Sequence, residues 1–356
     1  MKLFISKIHY KNKLDFLEML IYPFLKAASL VYSLIVKFRN YLYDNNYFKS
    51  YKVKAPVVSV GNLTTGGVGK TPVAIEIAKY FISKNKRTAV ILRGYGGRLS
   101  NRKVNVISDS KILLHTADEA GDEAFLIAEN CPQAIVLTCT NRIKAAKKAI
   151  NDFDAEVIIL DDAYQHRKIE RNINLLLVDN KNKFGNAKLL PLGPLRETFE
   201  EVKRADKIVL VNKNYDDEEA LKYCLHLEKK FKKNVYLCKM IPDVIYNIKT
   251  EDVLPLGSEI MAFCAIGQPK EFYAFLRDKY NLLVTVDFED HHLYDKGNIK
   301  ELVDIANKEG IKTLVTTEKD AVKIKKMFLE YDTDINIYAL KLKAYLDLEE
   351  ILDGVE

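Results

Sequence analysis

Apolar residues recur along this chain in two periods. Short unbroken runs at 57–60, 88–92, 133–138, 157–160, 173–179 and 207–211 have the length and flanking turns of buried strands. Between them lie stretches whose apolar positions return every three or four residues, such as Val73, Ala74, Ile77, Ala78 and Phe81, or the basic stretch 141–150, and these read as helices. Strands alternating with helices predict an α/β fold, a mostly parallel sheet with helices on both faces. From about residue 240 the alternation continues in a second, smaller α/β unit, with strands near 261–266, 283–287, 313–316 and 335–340. The chain thus divides into an N-terminal segment at 1–54, a main domain at 55–240 and a C-terminal lobe at 241–356.

The N-terminal segment has its own pattern. Over residues 14–41 the polar positions Asp15, Glu18, Tyr22, Lys26, Ser29, Ser33, Lys37 and Asn40 form one narrow stripe of an amphipathic helix. Around it lies a wide apolar face of Leu20, Phe24, Leu25, Leu30, Val31, Leu34, Ile35 and Phe38. Pro23 is expected to kink or divide the helix. The longest charge-free run, 27–36, falls short of the roughly 20 residues of a spanning helix, and no small-residue cleavage site closes a signal peptide. Two readings remain, a helix lying in a membrane interface and a helix packed on its own domain.

Charge favours the first. Residues 1–54 hold ten Lys and Arg against three Asp and Glu, a net of +7, so the rest of this +6 chain carries −1. A basic, aromatic-rich segment beside an apolar helix points to an anionic membrane surface, and a near-neutral body argues against a nucleic-acid groove. At 356 residues and 48% hydrophobic, the chain can bury one large or two modest cores. Cys131, Cys139, Cys224, Cys238 and Cys264 are scattered without C-x-x-C spacing, which indicates neither a disulfide framework nor a zinc site.

The chemistry begins where the first strand ends. Residues 61–72 read GNLTTGGVGKTP. Thr64, Thr65, Gly66, Gly67, Val68 and Gly69 would turn their N–H groups toward phosphate oxygens at the positive end of the next helix. Lys70 would reach the β- and γ-phosphates and the Thr71 hydroxyl would hold magnesium, while Pro72 fits a first turn that needs no N–H. Without nucleotide Lys70 is expected to face solvent. The strict phosphate-loop pattern has glycine where this chain has Thr64; the bland alternative is a glycine-rich turn that only caps a helix.

A second strand, Val157-Ile158-Ile159-Leu160, ends in Asp161 and Asp162. This is a Walker B arrangement, whose carboxylate holds magnesium directly or through water, and the sequence leaves open which aspartate touches the metal. Loop and strand together predict a P-loop NTPase-like sheet that takes ATP and Mg2+. A guanine site would want N-K-x-D after the 207–211 strand, where Tyr215 replaces the aspartate.

Other polar clusters follow strand ends, where open α/β sheets place ligands. Residues 93–98, RGYGGR, offer arginine forks on a glycine turn, or a solvated hairpin. Residues 117–124, ADEAGDEA, set Asp122 and Glu123 beside a glycine, though acids at a helix start also serve the dipole. Gln165 and His166 lie on the loop after the Walker B strand, and Arg196 ends the rigid run LPLGPLRE at 190–197. His291 and His292 are adjacent and lack a third ligand spacing, which argues against a metal.

This set of motifs resembles the tetraacyldisaccharide 4′-kinase family, the lipid A 4′-kinases of Gram-negative bacteria, over nearly the whole chain. The likeness rests on the N-terminal apolar helix, GNLTTGGVGKTP, RGYGG at 93–97, GDE at 121–123, DDAYQH at 161–166, LPLGPLRE, DHH at 290–292 and TTEKDAVK at 316–323. The family shares Thr64, whereas Ala163 stands where many members carry glycine. The resemblance implies transfer of the γ-phosphoryl group of MgATP to the 4′-hydroxyl of a tetraacylated glucosamine disaccharide 1-phosphate. It implies a peripheral or monotopic enzyme at the cytoplasmic face of the inner membrane, and no protein partner is implied. It also implies Asp122 as the base, hydrogen-bonded to His291 from the second lobe, and Arg93, Glu123, Gln165, His166 and Arg196 at the substrate. The rival class is a membrane-cycling ATPase switch of the partitioning type, whose loop reads K-G-G-x-G-K-[ST]; Thr65 stands where its signature lysine would be. A GTP-dependent metallochaperone is disfavoured by Tyr215 and by the lack of a Cys/His cluster.

Overall fold

The computed structural model describes residues 9–10, 15–213, 216–267, 269–289 and 292–355. The N-terminal half runs α1 (Phe16–Asp44), β1 (Val57–Asn62), α2 (Lys70–Ser83), β2 (Thr88–Leu92), β3 (Asn105–Asp109), α3 (Ala117–Ala120), α4 (Asp122–Asn130), β4 (Ile135–Thr138), α5 (Arg142–Phe153), β5 (Val157–Leu160) and β6 (Ile173–Asp179). A 3₁₀ turn (Phe199–Arg204) leads to β7 (Lys207–Asn212), α6 (Asp217–Phe231) and β8 (Val235–Asn247). The chain ends with β9 (Glu259–Cys264), α7 (Pro269–Lys279), β10 (Asn281–Asp287), α8 (Lys296–Lys308), β11 (Thr313–Thr317), α9 (Glu318–Leu329), β12 (Asn336–Tyr345) and α10 (Leu348–Ile351).

The twelve strands form one sheet in the order β10-β9-β11-β12-β8-β7-β6-β1-β5-β2-β4-β3. Among these strands of the described residues, β3 pairs antiparallel with β4 and β8 with β12, and the other neighbours are parallel. β1, β2, β4, β5 and β6 are buried at every residue, which is why they read as unbroken apolar runs: a parallel strand is covered on both faces. On one face α2 and α4 pack through Val73, Ile77, Phe81, Ala124 and Ile127. On the other lie α5, through Ala145, Ala146 and Ala149, and α6, through Ala220, Cys224 and Leu227. In the C-terminal half α8 and α9 cover one face and α7 the other.

β8 joins the two halves. Its residues Val235 to Lys239 pair parallel with β7, and Lys239 to Asn247 pair antiparallel with β12. Pro242 lies within it, a residue that ordinarily speaks against a strand interior, and the sequence reading placed no strand there. The antiparallel edge strand β3 and the helix α6 are further elements beyond the sequence expectation.

α1 is a single helix of 29 residues that continues through Pro23, so the expected division there does not occur. Its start is closed by the Glu18 carboxylate accepting from the Asp15 N–H at 2.8 Å. The helix is turned opposite to that of a soluble protein. Glu18, Ser29 and Asn40 of the polar stripe are buried against the body, while Leu20, Phe24, Leu30, Val31, Leu34, Ile35 and Phe38 are 56–78% exposed. By length and composition, with a mean hydropathy of 1.7, the stretch Glu18–Asp44 could cross a membrane.

Candidate active site

β1 lies at the centre of the N-terminal half, with β5 on one side and β6 on the other, so its C-terminal end opens into the crevice where such sheets bind ligands. Past Asn62 the loop is clamped on its outer side by the 189–197 segment. Thr65 N–H donates to the Pro194 carbonyl at 2.8 Å and Arg196 N–H to the Leu63 carbonyl at 2.7 Å. Gly69 takes φ +97° as it enters α2, with Met240 so close that a Cβ would lie 2.5 Å from its Cε. Lys213 reaches back from the end of β7 to the Gly67 carbonyl and to Asp179, the latter at 2.9 Å.

Asn62, wholly buried, organises the loop. Its amide donates to the Thr64 carbonyl at 2.8 Å and the Thr64 hydroxyl at 3.1 Å, its Oδ1 accepts from Lys70 at 3.3 Å, and its carbonyl accepts from Gln165 at 2.9 Å. Thr64 therefore serves as a hydrogen-bonding residue where the strict pattern has glycine. Lys70 does not face solvent. Its side chain is only 11% exposed and its ammonium stands 3.6 Å from Asp162, because the facing acids draw it inward.

The Thr71 hydroxyl donates to Asp161 Oδ2 at 3.2 Å, and Asp161 Oδ1 accepts from the Asp162 N–H at 2.8 Å. Asp162 adopts φ +47°, a left-handed conformation that turns its carboxylate to Lys70 and to Arg196, whose Nη1 meets both oxygens at 2.9 and 3.1 Å. Against the cost of burial, these two cations hold Asp162 below the usual carboxylate range. Burial, and then the neighbouring Glu123, pushes Asp161 up to about 7, while Glu123 is raised by burial and by Asp122. Arg142 sits beneath, lowered to about 10 by burial though Asp161 and Asp162 oppose the shift.

Two sequence motifs lock together here. A Cβ on Gly97 would lie 2.5 Å from the Glu119 carbonyl, and one on Gly121, at φ +87°, 2.6 Å from the Tyr95 carbonyl, so the 93–97 turn lies against the start of α4. Arg93 on that turn is exposed. Asp122 opens α4 and its Oδ2 stands 3.8 Å from both Lys319 and Lys323 of α9, bringing the C-terminal lobe to the site. Asp290 and His291 fall outside the described residues. His292 stacks on Phe288 at 4.8 Å and its Nε2 lies 3.0 Å from Asn298. The Nε2 atom of half-buried His166 is enclosed without a hydrogen-bond partner, and burial followed by Arg142 and Arg171 lowers the ring to about 4.

The sequence names Asn62, Glu197, Lys213, Lys319 and Lys323 only as parts of their motifs and Arg142 only within a basic helix, none of them as a site residue. Asn62 had a signal, a polar residue ending a buried strand directly before the loop. The others reach the site from distant elements.

A phosphate loop with its lysine and threonine facing a paired-aspartate strand end, on a parallel sheet, defines a P-loop nucleotide-binding protein with acids and arginines gathered as for phosphoryl transfer. The model of the family described as Tetraacyldisaccharide-1-P 4′-kinase matches residues 21–355, and the chain belongs to this family. It is 33% identical to a tetraacyldisaccharide 4′-kinase of Halothermothrix orenii, covering 92% of this chain and 91% of that one. It is 35% identical to the enzyme of that name from Desulfotalea psychrophila, over 91% and 93%. The fold matches LpxK from Aquifex aeolicus, solved in complex with ATP, with a TM-score of 0.76 at 30% identity over 94% of this chain and 98% of that one.

Proposed function

We propose that this chain transfers the γ-phosphoryl group of ATP to the 4′-hydroxyl of a tetraacylated glucosamine disaccharide 1-phosphate, a step of lipid A biosynthesis. The observation that carries the reading is the cluster of Lys70, Thr71, Asp161, Asp162 and Arg196 at one strand crevice, in a chain belonging to a 4′-kinase family.

The loop amides from Thr64 to Thr71 cradle the phosphates, and Lys70 neutralises charge as it develops on the transferring group. The O–P bond forms from the 4′-oxygen as the bond to the β-phosphate oxygen of ADP breaks, and the hydroxyl proton passes to Asp122, with His291 sharing it. Magnesium fits the donors present: Thr71, Asp161 and Asp162 are hard oxygen ligands, and the crowding that raises Asp161 is what a divalent cation relieves. Held by these residues, it would supply charge neutralisation to the phosphates. Arg93, Glu123, Gln165, His166 and Arg196 surround the sugar and its phosphates in this reading.

The exposed apolar face of α1 rests on the cytoplasmic side of the inner membrane, helped by the +7 charge of residues 1–54. Residues 55–240 and 241–356 act as two lobes around β8, and closure brings His291 to Asp122, beside the α9 lysines that stand 3.8 Å from it. Incubating the full chain with labelled ATP and a tetraacyl disaccharide 1-phosphate should yield the 1,4′-bisphosphate. Label released only as inorganic phosphate, with vesicle binding that follows the nucleotide state, would instead favour the ATPase switch.

A further inference from the structure

We propose that α1 is a wall of the active site as well as a membrane contact, and that Tyr32 is a positioning residue that sets Arg196 against Asp162. This rests on the proposed role of Asp162 and Arg196 in transfer.

Arg196 is pinned at three points. Its N–H donates to the Leu63 carbonyl at 2.7 Å, at the root of the phosphate loop, its carbonyl accepts from the Tyr32 hydroxyl at 2.9 Å, and its guanidinium holds Asp162. The next residue, Glu197, is fully buried. Its carboxylate pairs with Arg39 of α1 and with Arg204 of the 3₁₀ turn, and accepts from the Asn40 amide at 3.3 Å. Farther up the same segment, the Ser29 hydroxyl donates to the Leu189 carbonyl at 2.9 Å.

Four side chains of α1, from Ser29, Tyr32, Arg39 and Asn40, thus end on the segment that carries Arg196. A buried carboxylate that loses a cationic partner is left uncompensated, so this segment depends on α1 to keep its conformation. The opposite face of the helix is the exposed apolar one. Lipid on one side and the Arg196 segment on the other make the seating of the helix a determinant of active-site geometry, where small misplacements cost rate.

Tyr32 is the clean probe. Its hydroxyl meets the Arg196 main chain, and phenylalanine keeps the ring. In the full-length protein Tyr32→Phe should lower kcat about three- to tenfold, the effect of one lost hydrogen bond, with the KM for ATP and sedimentation with anionic vesicles unchanged and Tm within a few degrees of wild type. In an Arg196→Lys background, where the guanidinium contact with Asp162 is already lost, the same change should lower kcat no further. An unchanged kcat in Tyr32→Phe, an equal loss in both backgrounds, or a loss that tracks reduced vesicle binding would each overturn the inference. The two readings fail differently. A wild-type protein that transfers no phosphate to the disaccharide removes the proposed function; one that transfers it and is indifferent to Tyr32→Phe removes only this step.

Discussion

Lys70→Met tests the centre of the site most directly. The ammonium stands 3.3 Å from Asn62 Oδ1 and 3.6 Å from Asp162 Oδ1, and the side chain is 11% exposed, so methionine can follow the path of its stem. Removing one preorganised donor aimed at developing charge costs about 10²- to 10³-fold in kcat, or roughly 3–4 kcal/mol of barrier. Lys70 also opposes the upward shifts of Glu123 and Asp161 and holds Asp162 down. Without it the three carboxyls repel one another more, and more of them stay protonated near neutral pH. The variant should therefore lose Tm relative to wild type at pH 6, where the Asp162 pairing is already gone, and lose more at pH 8.5, where the raised carboxyls are also forced to ionise. Single-turnover transfer from labelled ATP to the disaccharide in mixed micelles measures the first effect, and thermal unfolding at the two pH values the second. A kcat within tenfold of wild type in a variant of normal stability would remove Lys70 from the transition state.

Four further outcomes are expected. Replacing Leu30, Leu34 and Phe38 together by serine should weaken sedimentation with anionic vesicles by at least tenfold while leaving Tm within a few degrees, since these side chains are exposed and each can contribute about 1.5–3 kcal/mol on burial in lipid; unchanged sedimentation would place the membrane contact elsewhere. His166 has a folded-state pKa of about 4, below its ordinary 6.5, so the folded protein binds fewer protons than the unfolded chain between those values; stability should fall as pH drops through that window, and His166→Phe should flatten the slope of Tm against pH there. Gly121→Ala should destabilise the protein by about 1–3 kcal/mol and slow transfer, because the residue sits at φ +87° and a Cβ would lie 2.6 Å from the Tyr95 carbonyl; a denaturation midpoint equal to wild type would refute the contact. Asp122→Ala and His291→Ala should each lower kcat strongly with little change in ATP affinity, and the double variant should be scarcely worse than either; fully multiplicative losses would show that they act independently.

The local elements of the site were legible because their physics is local. A buried parallel strand must be apolar throughout, a phosphate loop must turn on glycines into a helix start, and a Walker B strand must end in acid, so β1, α2 and β5 could be placed from their own residues. The polar and apolar faces of α1 were equally plain. Periodicity could not decide which face meets the protein, because it is the same whichever way a helix is turned; the N-terminal charge favoured an outward apolar face, and what holds the polar face in is Glu197, some 150 residues away in the chain, which calls Arg39 and Asn40 inward. The same holds for Lys70, drawn from solvent by Asp162, and for Lys319 and Lys323, which reach Asp122 only because β8 passes from β7 to β12 and makes one sheet of two runs of strands. Patterns within a few turns or strands set what each segment becomes. The pairing of charges far apart in sequence depends on how the sheet is ordered, and that order is fixed only when the whole chain has packed.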